Sequence, residues 1–303
     1  MIGSHLLGQQ PTFAGADFGI PEIAFFGYYQ FRNAVPTSDS WEEHDGIEIV
    51  FMQSGEACWD LPDDHFSKTT GSQALIIPAG RRHRIANGVY TPCRLLWLVF
   101  QPLEQAIQRA RLFLGTEVDA LFGIADGHGR PVDLPESSHR MLGELCARLT
   151  DERLLIGSAP IMAEVRSRVY SLVTSLWEAC SSGRDGGAQS RLVRRAAAML
   201  RESAEDDADR DESIEEIARR LGYGKSRLYS LFTHEVGMAP NDYRQRVRIK
   251  RCCERLTQTS DSITAIGIEN GFHSSQYFAR VFKKYVGVTP TDYRTLFRPA
   301  DVR

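Results

Sequence analysis

The sequence predicts an α+β protein of two domains: an N-terminal antiparallel β-barrel with following helices, and an all-α C-terminal domain holding two helix-turn-helix motifs. Three observations predict it. Residues 22–100 contain short runs rich in aromatic and β-branched residues, bounded by Gly, Pro and Asp. Beyond residue 100 the apolar spacing changes to helical steps of three and four. Residues 213–244 then recur at 262–294, so each matched position has to be explained twice.

The strand candidates are "EIAFFGYYQF", "GIEIVFMQSG", "ACWDLP", "SQALIIPAG" and "CRLLWLVFQ". Short strands at this spacing point to a small barrel or a double-sheet roll. Leu103 to Gly115 and Glu136 to Leu155 read as helices. Between Ala159 and Cys180, Met162, Val165, Val169, Leu172, Leu176 and Ala179 repeat at alternating steps of three and four. That stripe can seal a helix onto its own domain or pair with its copy in a second subunit. Residues 181–190, "SSGRDGGAQS", have the composition of a flexible linker. They divide a domain at 1–180 from one at 191–303, where the helix 191–202 comes first.

The repeat follows. Ser213, Ile214, Ile217, Gly222 and Tyr223 match Ser262, Ile263, Ile266, Gly271 and Phe272 at an offset of 49. Leu228, Leu231, Phe232, Val236, Gly237, Pro240, Asp242, Tyr243 and Arg244 match Phe278, Val281, Phe282, Val286, Gly287, Pro290, Asp292, Tyr293 and Arg294 at an offset of 50. The one-residue change falls in the turn between helices, where insertion is cheapest. Each copy reads as helix, glycine turn, helix. Ser213 with Glu216 makes a capping box, and Ser274 can cap the second helix of the second copy.

Charge separates the two halves. The chain has 303 residues and a formal net charge of −3, yet residues 1–187 carry 15 Lys+Arg against 23 Asp+Glu, whereas from Ser213 onward the count is 16 against 9. A basic C-terminal third suits a polyanion, and also suits a merely solvated surface. In a helix-turn-helix the second helix reads base edges with its N-terminal exposed side chains. In the first copy these are Ser226, Arg227, Tyr229 and Ser230; in the second they are Ser275, Gln276, Ala279 and Arg280. Arg280 can pair with guanine and Gln276 with adenine. Lys225, Lys283, Lys284, Arg244 and Arg294 are read as phosphate contacts or solvated charges, because charge alone carries no sequence information.

The six cysteines show no CxxC and no regular spacing, which fits small buried hydrophobes in a reducing compartment. The N-terminus lacks a basic start and a long apolar core, and "LLWLVF" is far too short to span a membrane. A cytoplasmic protein is expected.

The tandem pattern, with "GF", "YFxRxFKK" and "GxTPxxYR" in the second copy, resembles the DNA-binding domain of AraC-type (AraC/XylS) transcription regulators over about residues 190–297. Two positions depart from it: Gly267 stands for a small residue that is usually Ala, and Gly224 for the usual capping Ser. The resemblance implies that the two reading helices enter successive major grooves. It further implies double-stranded DNA, a small-molecule effector, a homodimer partner and RNA polymerase as partners.

"HDGIEIVFMQSG" and "GSQALIIPAGRRHRIAN" resemble the two cupin motifs that many such regulators carry in a cupin-like N-terminal domain. His44, Glu48 and His83 are then the ligand-type residues. Gly46 stands where the enzyme motif's second His would be, so no metal and no other cofactor is assigned. Trp41, His44, Glu48, Arg82, His83 and Trp97 are the expected effector contacts, with Tyr28, Phe51 and Trp59 as further walls. A sugar is one effector that such a polar, indole-walled site would take.

The function expected is that of a sequence-specific, effector-controlled transcription regulator, not an enzyme. The rivals are a cupin metalloenzyme with an appended DNA-binding module and a regulator controlled by a protein partner.

Overall fold

A computed structural model of the chain describes residues 12–37, 40–62, 65–101, 112–125, 131–150, 158–182, 187–205 and 212–298. They group into two compact units. One is drawn from 1–32, 40–84 and 92–184, the other from 33–39, 85–91 and 185–303.

In the first unit the strands are β1 (Thr12–Ala14), β2 (Ile23–Phe31), β4 (Ile47–Leu61), β5 (His65–Thr70), β6 (Gln73–Ile77), β7 (Arg84–Ile85), β9 (Cys93–Phe100) and β10 (Pro131–Asp133), with β3 (Val35–Pro36) and β8 (Val89–Tyr90) forming a separate ladder in the second unit. The principal sheet runs β1-β2-β9-β4-β6-β10. Among the described residues β1 pairs only with β2 and β10 only with β6, so the sheet is open and the expected closed barrel is not formed. Both edge strands are three residues long among the described residues.

One face of the sheet is instead covered by helices. Phe26, Tyr28, Ile49, Phe51, Ala74, Ile76, Leu96, Leu98 and Phe100 pack in one core with residues of α1 (Gly115–Ala125), α2 (Glu136–Leu149) and α3 (Ala159–Ser182). The two runs "GIEIVFMQSG" and "ACWDLP" prove to be one strand, β4. An irregular register between Met52 and Ser54 bends it without breaking it. The helix expected at Leu103 to Gly115 falls mostly on residues outside those described, and α1 begins where it was expected to end. The helix expected to run to Leu155 closes at Leu149, with 151–157 outside the described residues.

Among the described residues the stripe on α3 packs internally. Val165, Val169, Leu172 and Leu176 are at most 1% exposed, packed in the core that contains the sheet, α1 and α2. Each such side chain contributes about 1.5–3 kcal/mol by leaving water. Of the two uses open to this stripe, a seal onto its own unit and a homodimer seam, the burial is of the first kind, because three-and-four spacing serves a helix on a sheet as well as a helix on a helix. Of the ten residues read as a linker, 181–182 close α3 and 187–190 open α4 (Gly187–Glu205), while 183–186 lie outside the described residues.

The second unit continues with α5 (Ile214–Arg220), α6 (Lys225–Val236), α7 (Pro240–Gln258), α8 (Ile263–Glu269), α9 (Ser275–Val286) and α10 (Pro290–Phe297). Val89 of β8 is buried in the core that Ile249, Phe278, Phe282 and Tyr293 build. All six cysteines are buried free thiols. Among the described residues no helix is long and apolar enough to cross a membrane.

Candidate nucleic-acid interface and buried polar cluster

The two helix-turn-helix copies are α5-turn-α6 and α8-turn-α9. Their backbone framework recurs at matching positions. Ser213 caps α5 in a full capping box with Glu216, and Ser262 caps α8 by accepting from the Ala265 amide at 3.0 Å. Gly222 and Gly271 hold the turns at φ +80° and +82°, a region that side chains beyond glycine rarely adopt. Gly237 and Gly287 end the reading helices in the left-handed region, and Pro240 and Pro290 open the next helices at their first position.

Arg244 and Arg294 belong to this framework and not to a phosphate-binding surface. The Arg244 guanidinium donates to the Glu212 carbonyl at 2.7 Å, and that of Arg294 donates to the Asp261 carbonyl at 2.7 Å and the Leu256 carbonyl at 3.2 Å. Glu212 and Asp261 each stand just before the N-cap of the first helix of their copy. Each arginine thus clamps the helix that closes its copy to the one that opens it.

On the outer face, Lys225, Ser226, Arg227 and Ser230 of α6 are exposed, and Tyr229 is half-buried with its hydroxyl accepting from Asn241 Nδ2 at 2.9 Å. On α9, Gln276, Arg280, Lys283 and Lys284 are exposed, while Ser275 and Ala279 are half-buried. Ser274 caps α9 by accepting from the Tyr277 amide at 3.2 Å; Gly224 offers α6 no side-chain cap.

The structure adds two residues that the pattern reading passed over. Tyr277 stacks on exposed His273 at 4.2 Å between ring centroids, and the Arg280 guanidinium lies 5.4 Å from the Tyr277 ring. His273, Tyr277 and Arg280 form one row beside the start of the reading helix. The repeat itself held the signal, since Tyr277 is the offset-50 partner of Arg227.

The first unit holds a buried polar cluster on the sheet face away from the helices. Strand alternation places Glu48, Trp97 and Tyr29 on this face and Tyr28 and Phe51 on the other, so the latter two wall the helix-side core and not the cluster. His44 Nε2 lies 3.2 Å and His83 Nε2 2.8 Å from Glu48 Oε2. The second contact is close enough for an ion pair but is not aligned as a hydrogen bond. Both Nδ1 atoms are turned to backbone carbonyls, His44 to Gly46 and His83 to Arg81, each at 2.9 Å.

Burial alone would raise the Glu48 carboxyl, but the charge of the close His83 imidazole and the hydrogen bond with His44 overcome it and hold it at about 2. Burial likewise opposes charge on His83, and Glu48 outweighs it, lifting the imidazole to about 9. His44 is raised in the same sense. Tyr29, which sequence patterning did not single out, is pushed to about 12 by burial and by the negative charge of Glu42 and Glu48, and its ring packs on Trp97 at 5.9 Å. Trp41 and Arg82 pair with one another, guanidinium carbon 5.3 Å from the ring centroid, and Arg84 lies 4.9 Å from the same ring.

The donor atoms of His44, Glu48 and His83 lie within 4.8 Å of one another. Two imidazoles whose Nδ1 atoms are fixed by the backbone, with one carboxylate, could serve a divalent transition metal as three ligands. In the structure Glu48 pairs by charge with both imidazoles.

Residues 217–295 match the model of a helix-turn-helix domain family. Over 82 residues the chain is 37% identical to the HTH-type transcriptional activator AarP of Providencia stuartii, covering 27% of this chain and 61% of that protein. An uncharacterized HTH-type transcriptional regulator of Staphylococcus aureus (strain COL) is 36% identical over 84 residues, 28% of this chain and 11% of its own length. The chain therefore spans only a part of these relatives. Among solved structures, a transcriptional regulator with an AraC-type DNA-binding domain from Chromobacterium violaceum is 26% identical and covers 38% of this chain and 99% of that one, with a TM-score of 0.34. The C-terminal part of the chain holds a helix-turn-helix domain.

Proposed function

We propose that the chain is a sequence-specific DNA-binding transcription regulator whose activity is set by a small-molecule effector held in the N-terminal unit. The observation that carries the reading is the pair of matched helix-turn-helix copies. Each presents polar and cationic side chains at the start of its second helix, Lys225 and Arg227 in one and Gln276 and Arg280 in the other. Arg280 reads a base pair, Gln276 and Ser226 assist, and Lys283 and Lys284 meet phosphate. Such a regulator works in the cytoplasm beside its DNA and answers through RNA polymerase. A homodimer would associate through surfaces other than the α3 stripe.

The test uses an operator selected from a pool of random duplexes by the full chain. Arg280→Ala should cost about 1–3 kcal/mol on that operator and relax the preference at one base pair, whereas Lys283→Ala should weaken all sequences alike. A base preference left intact in Arg280→Ala overturns the assignment of α9 as a reading helix.

For the effector, the polar cluster supports a polyhydroxyl compound such as a sugar. Its hydroxyls would pair with Glu48 and the two imidazoles, and its apolar face would lie on Trp97. Calorimetry with candidate sugars on the wild type, Glu48→Gln and His83→Ala checks this. A sugar that binds both variants as tightly as the wild type places the site elsewhere.

A further inference from the structure

The two copies differ at a pair of positions whose consequence reaches across the repeat. In the second copy the carboxylate of Asp292 is taken by its own cap: Thr289 Oγ1 donates to Asp292 Oδ2 at 2.6 Å and accepts from the Asp292 amide at 3.2 Å. The offset-50 partner of Thr289 is Ala239, which has no hydroxyl and gives α7 no side-chain cap. The matching carboxylate, Asp242, is left to another donor. That donor comes from the other copy. The Tyr285 hydroxyl of α9 donates to Asp242 Oδ1 at 2.6 Å. The first copy could not make the reciprocal bond, because the offset-50 partner of Tyr285 is Glu235, an acceptor.

The bond joins a buried tyrosine to a carboxylate whose side chain is 42% exposed, among charged neighbours. Tyr285 is 8% exposed, with the Arg246 guanidinium 5.1 Å and the Lys284 ammonium 4.9 Å from its ring. Lys284 Nζ is also 3.9 Å from Asp242 Oδ1. Burial, first, and then the Asp242 carboxylate raise the Tyr285 hydroxyl well above its ordinary range, so it stays protonated and able to donate.

The placement matters because α7 joins the copies. Its first turn follows α6 after three residues and packs on it, with the Tyr243 and Phe232 rings 5.3 Å apart; its far end leads into α8 and thence α9. The Tyr285–Asp242 bond returns from α9 to that first turn and closes the circuit α7, α8, α9, α7. Without it, the end of α9 keeps only the longer approach of exposed Lys284 to Asp242, at 3.9 Å, as a polar tie from this site to the first turn of α7.

We infer that Tyr285, through Asp242, is a positioning residue that fixes the second reading helix against the first copy and so sets which separation of two half-sites the domain accepts. The inference rests on the proposed reading of DNA by both copies. One base pair inserted between half-sites moves the second by about 3.4 Å and turns it by about 34°, a displacement that a braced pair of helices cannot follow.

The experiment takes the operator selected by the full chain and measures affinity for versions with one base pair inserted or deleted between the two protected segments. The wild type should lose about tenfold or more at either change, the size of one badly met base pair. Tyr285→Phe, which removes only the hydroxyl, should keep its affinity for the original operator within about threefold and reduce the spacing penalty to about threefold or less. Asp242→Ala should behave likewise, and Asp242→Asn, which keeps an acceptor oxygen, should retain the wild-type profile. Should Tyr285→Phe melt too early to assay, the contrast between Asp242→Ala and Asp242→Asn decides alone. A purely structural role would lower the melting temperature and leave the spacing profile unchanged, and that result overturns the inference. So does a wild type indifferent to spacing. A wild type that selects no operator removes the DNA-reading proposal itself, and this inference with it.

Discussion

The two helix-turn-helix copies share a backbone and differ in what fills it. At the turn, Tyr223 of the first copy is 44% exposed, whereas its partner Phe272 is 2% exposed and packs on Phe278 with ring centroids 5.1 Å apart. The first copy has buried Ala218 and Leu228; the aligned pair in the second is Gly267 and Phe278. A Cβ on Gly267 would come within 2.7 Å of the Phe278 ring, so the larger ring and the missing methyl are one choice. Gly267 therefore does more than weaken its helix by about 1 kcal/mol, as helix propensity alone would have it. Repeat symmetry is kept where the backbone needs it, at left-handed glycines and arginine clamps. It is relaxed in pairs where side chains meet.

The largest expected effect comes from breaking what the copies share. Arg244→Met and Arg294→Met each remove a guanidinium that holds backbone carbonyls, and charge-assisted bonds of this kind contribute about 1.5–3 kcal/mol. Both variants of the full chain should lose about 2–3 kcal/mol in denaturant unfolding of the C-terminal unit. A loss confined to one copy would mean that the clamp is not common to both, and that the symmetry is one of sequence only.

A smaller effect tests the paired difference. Gly267→Ala should gain helix propensity but overpack Phe278, for a net loss of about 1–2 kcal/mol. Gly267→Ala with Phe278→Leu rebuilds the first copy's pair and should recover most of that loss. Additive losses in the double variant, read by the same unfolding curves, would show that the two positions were not exchanged as a unit.

What could be read in the sequence follows the same division. The helix boundaries of both copies, their glycine turns and their caps were legible, because each depends on residues within one turn of the backbone it controls. The seam on α3 was not, since Val165, Val169, Leu172 and Leu176 have the same spacing whether they face a sheet or a second chain. Barrel closure was not legible either; it depends on how far strand edges reach, which alternation within a strand does not encode. In the polar cluster, His44, Glu48 and His83 came together as their motifs implied. Tyr28 and Phe51 were misplaced because their parity along β2 and β4, visible only with the register in hand, sends them to the opposite face. The tie from Tyr285 to Asp242 joins positions 43 residues apart, beyond any local pattern. Only the exchange of Thr289 for Ala239 hinted that one carboxylate was uncommitted.

The smallest effect sharpens the comparison at the helix starts. Ser274 accepts from the Tyr277 amide, so Ser274→Ala leaves an orphan donor in the first turn of α9 and should cost about 1 kcal/mol. The first copy has already made do with glycine at the aligned Gly224, which tolerates the extended cap backbone but accepts nothing. Gly224→Ser gives α6 the cap it lacks and, because glycine is itself a fair N-cap, should stabilise by only a few tenths of a kcal/mol. The two variants together ask whether the copies differ in the cap residue alone or in the surroundings of the cap. If the difference lies in the residue, hydrogen exchange in the first turn of α6 should slow in Gly224→Ser, while that of α9 speeds in Ser274→Ala. If Gly224→Ser instead leaves α6 exchange unchanged, the exposed start of the first reading helix is held by something other than its cap. The equivalence of the two copies would then end at the turn.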